Sequence, residues 1–421
     1  MLPRVMQIRE RRLALLIALT AIAWHLCGVF APPRISGSVK NTEARDFASY
    51  HYAAIATKRG QSPYAKTTLD RIAKREGYRS SVHPYLYPPP FLLGVYWSVP
   101  IQLPAAFTIH KLMQTLACWI GVWGLIRWWR PMGGPVRETA LIALAGSYGM
   151  IYGLQMGQAN ASVFALTMLG LWATERKRQT LGGALVGIAC MWKMAPALFV
   201  LWWAWKGKWR AALSSVLAAI LLSVMTLPIM DLQTQWSFYR DVLPSMASGE
   251  YNGLTIRIDM FGNHSLSNLW HQLFPSGENV LSGLARTAAS ASAVTLLALL
   301  GMSMKRTQQN ATRTAAQVSL VCLTMILLPV YTYEHHLIWA IPATVVTLTA
   351  LANGTLSVRW APCVAFAFVA LCFPLPHLKE LSTQALAGLP GLAWLVQESK
   401  TMALLLLWAC CAYISRRPSH S

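Results

Sequence analysis

The stretch from Leu181 to Trp205, LGGALVGIACMWKMAPALFVLWWAW, decides the architecture. It has the length of one membrane-crossing helix, about 20 apolar residues for a hydrocarbon layer roughly 30 Å thick. At its centre, however, stands Lys193-Met194-Ala195-Pro196. Proline lacks a backbone donor and breaks a helix interior. Basic clusters also flank both ends, Arg176/Lys177/Arg178 before it and Lys206/Lys208/Arg210 after it. Positive charge collects on the cytoplasmic side of membrane spans, so both ends belong on that side. The stretch therefore reads as two half-helices meeting at Lys193, about mid-membrane or deeper toward the outer face. Non-helical backbone survives at that depth only where protein or a water-filled cavity receives it, which implies a cavity beneath the outer surface.

Outward from this hairpin the same pattern continues. Of 421 residues 55% are hydrophobic and 12% charged, against roughly 25% charged in soluble domains, which excludes a soluble globular protein. The net charge of +21 lies in short clusters between apolar runs. A nucleic-acid partner would need those charges on a polar surface. The eight cysteines all sit inside apolar runs, so neither a disulfide framework nor a zinc site is expected.

Leu13 to Phe30 is the first span. It follows Arg4, Arg9, Arg11 and Arg12 without a small-residue cleavage motif, and reads as a retained span with a cytoplasmic N-terminus. Further runs are Pro104–Arg127, Thr139–Gly153, Ala159–Ala173, Ala211–Ile229, Thr287–Met304, Ala315–Val330, Leu337–Ala352, Val358–Phe373 and Met402–Ile414. Ten crossings return the C-terminus to the cytoplasm. Arg127/Arg130/Arg137, Lys305/Arg306/Arg313, Arg359 and Arg416/Arg417 then face inward with the clusters already named, while most acids fall outside. Phe91–Ile101, closed by Pro100 and Pro104, is too short to cross and reads as an interfacial or re-entrant helix.

The expectation is an all-α, polytopic protein of the plasma (inner) membrane, a single domain over residues 1–421. Two long outer loops, residues 32–90 and 230–280, interrupt the spans. The first holds ten basic residues against four acidic, near the loop length of about 60 residues beyond which charge stops steering topology. Within it Lys66–Arg79, with Leu69 and Ile72 at helical spacing, reads either as a helix on anionic headgroups or as a solvated charged helix. There is no internal repeat and no soluble domain.

The unusual polar residues all fall on the outer side. Asp46 follows the first span, His83, Tyr85 and Tyr87 precede Pro88-Pro89-Pro90, and Gln155, Gln158 and Asn160 occupy a hinge between spans. Asn263, His264 and His271 lie in the second long loop, and Glu334, His335 and His336 in a short turn. Long loops of this chemistry over a membrane cavity point to a site working on a lipid-borne substrate.

Asp46 with Tyr50-His51-Tyr52-Ala53-Ala54, Gly60-Gln61-Ser62-Pro63-Tyr64, Tyr87-Pro88-Pro89-Pro90-Phe91, Gly157-Gln158-Ala159-Asn160, Gly187 through Lys193-Met194-Ala195-Pro196, Asn263-His264-Ser265-Leu266 and His335-His336-Leu337-Ile338-Trp339 stand in that order. This series, from about residue 40 to 345, resembles glycosyltransferase family 87. These are GT-C type membrane enzymes that include polyprenyl-phosphate-mannose-dependent α-1,2-mannosyltransferases. Where the family often reads Asn-Gln-Ser, this chain reads Asn263-His264-Ser265, and Glu334 directly precedes the histidine pair. Both departures bear on the acceptor or the donor sugar.

The resemblance implies roles, each with a competing reading. Asp46 would be the general base: transfer from a lipid phosphate needs one carboxylate, because the phosphate leaves unprotonated, unlike glycoside hydrolysis with its two. An acid capping a helix that starts near Phe47 is the competitor. His335 or His336 would pair with the aspartate or bind the leaving phosphate; adjacent helical residues point about 100° apart, so one of the two faces the site. A histidine merely resting at the interface competes. Lys193 at the apex needs an anion, and the lipid phosphate is the natural one, against snorkelling to water. Gln158 and Asn160 would bind sugar hydroxyls or phosphate at a helix N-terminus, or else only form a Gly157 turn. Asn263 and His264 would touch donor or acceptor, and Tyr87 would contact substrate or shape the loop.

The implied function is inverting transfer of a hexose, mannose foremost, from a polyprenyl-phosphate-linked donor to a lipid or glycan acceptor outside the membrane. No nucleotide-sugar site or other cofactor is expected, since the donor arrives on the lipid and no phosphate-cradling glycine loop is present, and no essential metal, since Asp46 lacks the neighbouring acid of an Asp-X-Asp motif and the histidine pair has no third ligand close in sequence. A transporter or flippase of lipid-linked sugars is the rival, because broken helices and buried charges are typical there too.

Overall fold

Long apolar runs wind into helices because a helix satisfies its own backbone donors and acceptors, which lipid cannot do. The computed structural model describes residues 16, 19–27, 45–78, 80–246, 250–251, 254–277, 279–304 and 310–417. The basic N-terminus with Arg4, Arg9, Arg11 and Arg12, much of Leu13–Phe30, the start of the first outer loop, Arg79 and Lys305/Arg306 lie outside the described residues. Helices dominate, and the sheet consists of one antiparallel pair of two-residue strands, β1 (Glu250–Tyr251) and β2 (Leu254–Thr255).

After a helix over residues 19–27, α1, the first long inter-span segment carries α2 (Arg45–Lys58) and α3 (Lys66–Arg75), followed by the short α4 (Phe91–Val95). The bundle then runs α5 (Leu103–Trp129), α6 (Val136–Ala145), α7 (Tyr148–Met156), α8 (Asn160–Glu175), α9 (Gln179–Trp192), α10 (Ala197–Trp205) and α11 (Trp209–Thr226). A second long segment contains α12 (Leu232–Ser237) and α13 (Leu266–Leu273). It leads to α14 (Gly283–Ser303), α15 (Ala311–Leu327), a 3-10 turn over Glu334–Ala340 and α16 (Ile341–Ala352). The chain closes with α17 (Ala361–Cys372), α18 (Leu375–Glu380), α19 (Pro390–Gln397) and α20 (Ser399–Arg416).

The broken stretch folds as the charges require. Backbone hydrogen bonding of α9 stops at Lys193, whose φ of −148° and ψ of 130° are extended, and α10 begins after Pro196. Small residues on α9 let its neighbours approach closely, as between helices in lipid. A Cβ on Gly183 would stand 2.2 Å from the Ala211 carbonyl oxygen, and one on Gly187 2.4 Å from that of Ser215. Start therefore lies against start, α9 and α11 run parallel, and α10 is the return limb between them. Fourteen residues of α9 lift Lys193 about 21 Å above its beginning. Gly94 of α4 packs on the Trp192 ring at this tip.

Contacts sort the chain into two ends. Lys208 pairs with Glu175, Trp202 Nε1 donates to Met304 Sδ, Arg416 reaches Ser303, and Arg313 and Arg417 bond the carbonyls of Arg417 and Thr355. These basic clusters share one end, and the helix tips bearing Gln158, Lys193 and Glu334 share the other. The bundle core centres on α15, which is buried nearly all round and packs on α16 and α20 through Val318, Leu323, Val346 and Leu407. A second core, around Phe47, Tyr52, Tyr85 and Phe91, belongs to the segment that carries α2 to α4.

Three expectations change. Among the described residues, three helices are by length and composition apolar enough to cross a membrane, Trp209–Thr226, Gly283–Ser303 and Glu334–Ala352, or five if two bent pairs each count as one span, where ten crossings were expected and much of the first lies outside the described residues. Of the other runs, Pro104–Arg127 and Met402–Ile414 lie within single continuous helices, Leu103–Trp129 and Ser399–Arg416, and all of Ala159–Ala173 but its first residue lies within Asn160–Glu175. Thr139–Gly153, expected as one span, is divided at Gly146-Ser147: Gly146 lies against Cys372 Sγ, and the Ser147 hydroxyl accepts from Met150 N–H to cap a new helix. The Lys66–Arg75 helix does not offer its apolar face to headgroups, because Leu69, Ile72 and Ala73 are buried against the protein.

Candidate functional site

Gln158 is the centre of the polar end, and local backbone chemistry puts it there. α7 closes with Gly157 at φ +74°, where Gly157 N–H bonds the Leu154 carbonyl and Gln158 N–H the Gly153 carbonyl at 2.8 Å. This paired arrangement is a glycine-dependent helix stop. A Cβ on Gly157 would also stand 2.6 Å from Phe47 Cβ, so the same glycine seats the turn against α2, which carries Asp46. Asp46 lies inside the first turn of described α2 rather than ahead of it.

The Gln158 amide joins four side chains. Its Nε2 donates to Asp46 Oδ2 at 2.6 Å, and its Oε1 accepts from Lys193 Nζ at 2.8 Å, from Tyr87 OH at 2.9 Å and from Tyr50 OH at 3.3 Å. This set fixes the amide orientation, since a flip would face nitrogen to three donors. Tyr50 also donates to Tyr87. Burial pushes both phenols up, so they remain protonated donors. Tyr87 is further held by the Phe91 ring, stacked at 4.6 Å, and by Tyr64 OH on its carbonyl at 3.0 Å.

Asp46 Oδ1 faces His83 Nδ1 at 3.6 Å. The histidine beside the aspartate is thus His83, whereas the resemblance directed attention to the pair at 335 and 336. His335 sits on the other side of Gly153, whose missing side chain leaves a small cavity lined by Gln158, Asn160 and His335. Asn160 Nδ2 donates to the His335 carbonyl at 2.7 Å, while Asn160 Oδ1 and His335 Nδ1 are buried without a hydrogen-bond partner among the described residues. His336 Nδ1 accepts from Tyr333 N–H at 3.1 Å, which leaves the proton of its neutral ring on Nε2.

Asn263 and His264 stand one step behind. Asn263 Nδ2 donates to the Ile258 and Val330 carbonyls, and its Oδ1 accepts from the N–H groups of Ser265 and Thr332. All its polar capacity is spent on backbone, which makes it a clamp between the second long segment and the turn before the histidines. His264 Nε2 lies 3.0 Å from Glu334 Oε2, and Glu334 Oε1 pairs with Lys400.

The structure therefore brings Asp46, Gln158, Lys193 and Tyr87 into one network, places His335 and Asn160 against the same cavity, and sets Asn263 and His264 behind them. Sequence reasoning had not given roles to His83, Tyr50 or Lys400. His83 and Tyr50 stood within quoted polar segments, while Lys400 stood at the edge of a span, where charge ordinarily marks water.

The family model described as Glycosyltransferase family 87 matches residues 85–329, more than half of the chain. The chain belongs to glycosyltransferase family 87. It is accordingly an enzyme, a glycosyltransferase with apolar helices suited to a membrane, and this decides against the transporter alternative. No curated protein matches the chain. The matched segment of this family 87 enzyme holds Tyr87, Gln158, Asn160, Lys193, Asn263 and His264; Asp46 precedes it, and His335, His336 and Lys400 follow it.

Proposed function

We propose that this glycosyltransferase is a GT-C type enzyme of the plasma (inner) membrane. It takes a hexose, mannose foremost, from a polyprenyl-phosphate donor and passes it to a lipid or glycan acceptor on the outer side. The observation that carries the proposal is the Gln158 amide joining the Asp46 carboxylate to the Lys193 ammonium. One group suits a proton, the other a phosphate, and the transfer needs both.

In this mechanism Asp46 takes the proton of the acceptor hydroxyl as its oxygen bonds to the anomeric carbon. The bond from that carbon to the phosphate oxygen breaks, and the electron pair leaves with the phosphate. Lys193 exchanges Gln158 for the phosphate and offsets its charge. Direct displacement inverts the anomeric centre, so a β-linked donor gives an α-linked product. Gln158, Asn160 and Tyr87 orient donor hydroxyls or phosphate, the His335/His336 turn completes the wall, and His264 and Asn263 hold that turn in place. Basic clusters opposite the site favour a cytoplasmic basic end and cytoplasmic termini, with the site outside.

The test is transfer from radiolabelled polyprenyl-phosphate mannose into membrane lipid extract by the purified full chain, wild type against Asp46→Asn. Transfer that collapses in the variant while donor binding persists supports the reading. Undiminished transfer by Asp46→Asn removes Asp46 as base. Wild-type protein inactive with mannose and glucose donors alike removes the lipid-phosphate donor.

A further inference from the structure

Behind the histidine turn lies a set of buried charges that the proposed transfer does not use. Lys400, at the beginning of α20, is 0% exposed and pairs with Glu334, which is 1% exposed. The second Glu334 oxygen is taken by His264, and Lys400 also lies 5.1 Å over the Tyr148 ring, the first residue of α7. Two residues before Lys400, buried Glu398 accepts from Asn268 at 2.9 Å, Gln272 at 2.7 Å and Thr401 at 2.7 Å. The start of α20 thus ties α13, the 334–340 turn and α7 together.

Taking two charges out of water is costly, and apolar side chains of similar size can serve as glue. What an ion pair adds is direction. With one oxygen of Glu334 on Lys400 and the other on His264, the carboxylate plane is set, and the backbone of Glu334 is set with it. Its carbonyl oxygen packs against Gly149, where a Cβ would come within 2.7 Å. The next two residues are His335 and His336, and α7 runs from this contact to Gly157-Gln158.

We propose that Lys400 is a positioning residue of the site: through Glu334 it fixes the turn that presents His335 and His336, and α20, beyond the family-matched segment, is thereby part of the working site. The inference rests on the proposed function only in assigning those histidines to the transfer.

The full chain in nanodiscs is compared as wild type, Lys400→Met, Glu334→Gln, the double variant and Leu404→Ala, a packing lesion on the same helix. Three quantities are measured: transfer kinetics with polyprenyl-phosphate mannose, the unfolding midpoint, and the 15N signals of the His336 ring. Lys400→Met is expected to lose at least tenfold in kcat with donor KM within twofold, and to lose the Nδ1-acceptor signature of His336. Leu404→Ala is expected to lower the midpoint and leave both unchanged. If single variants do not fold, the double variant decides, because it removes both charges of the Lys400–Glu334 pair and leaves neither buried without the other. The same losses there support the proposal, and wild-type kcat with wild-type ring signals overturns it. A kcat loss with unchanged ring signals also overturns it. If wild-type protein transfers nothing, the functional reading has failed, and the ring signals alone decide whether Lys400 positions the turn.

Discussion

Gln158 Nε2 donates to Asp46 Oδ2 at 2.6 Å while its Oε1 accepts from Lys193 Nζ at 2.8 Å, so one side-chain amide places the carboxylate at one remove from the Lys193 ammonium. The amide keeps two opposite charges near each other without letting them meet. A direct ion pair would have to be broken before either group could work, whereas an intervening amide gives each one up separately.

Removing the base tests the first half of that arrangement. Asp46→Asn keeps the shape and the contact to Gln158 but cannot take a proton. Transfer is expected to fall by at least about 100-fold, in the range of general-base contributions, with donor binding within twofold. Steady-state kinetics and donor titration on the same preparation check both.

The second half is tested at Lys193. Lys193→Met keeps much of the side-chain volume and removes the charge, so the donor KM is expected to rise at least tenfold while the unfolding midpoint stays within a few degrees. A soluble polyprenyl-phosphate competitor should lose affinity in parallel, whereas a neutral polyprenol should not.

Gln158→Glu sets a second carboxylate at hydrogen-bond distance from Asp46. Two such acids cannot both ionise readily, so one proton is held to higher pH. The acidic limb of the transfer profile is expected to move toward higher pH, which a pH series on the variant reads directly. A profile that keeps its wild-type position would detach Gln158 from the reacting base.

Gly157 and Gly153 differ by only four positions yet predict opposite outcomes. Gly157→Ala forces a side chain into left-handed backbone and against Phe47, and is expected to cost about 1 to 3 kcal/mol of stability. A Cβ at Gly153 meets nothing closer than His335 Cβ at 3.5 Å. Gly153→Ala should therefore fold normally and reduce transfer by filling the cavity. Thermal unfolding and kinetics of the two variants separate the effects.

Burial lowers His51 to about 4 from its ordinary value near 6.5, with its Nδ1 3.1 Å from Ser98 Oγ. The unfolded chain then binds a proton that the folded chain refuses between those values. The stability His51 contributes is complete above about pH 6.5 and is lost as pH falls toward 4. The midpoint of wild type should drop between pH 7 and pH 5 by more than that of His51→Asn.

The hairpin at Lys193 was legible because charge and proline act locally: basic clusters on both flanks and Pro196 between them leave the chain one way to turn. The division at Gly146-Ser147 was not, since it depends on Cys372 and Phe368 from a helix more than two hundred residues later. Asp46, Gln158, Lys193 and Tyr87 could be named from residue type and order. The nearness of His83 to Asp46 depends on how the segment carrying α2 to α4 folds around its own aromatic core. Lys400 escaped notice because a charge at the edge of an apolar run ordinarily faces water; here Glu334 takes the place of water.

The hairpin also bears on how the protein is made. Because α10 returns the chain to the end from which α9 set out, the pair adds no net change of direction, and every helix after residue 208 points the same way whether or not the hairpin has yet inserted. The later helices can be threaded correctly before the apex finds Gln158. The contact of Lys193 with Gln158 is thus independent of the direction in which the later helices run.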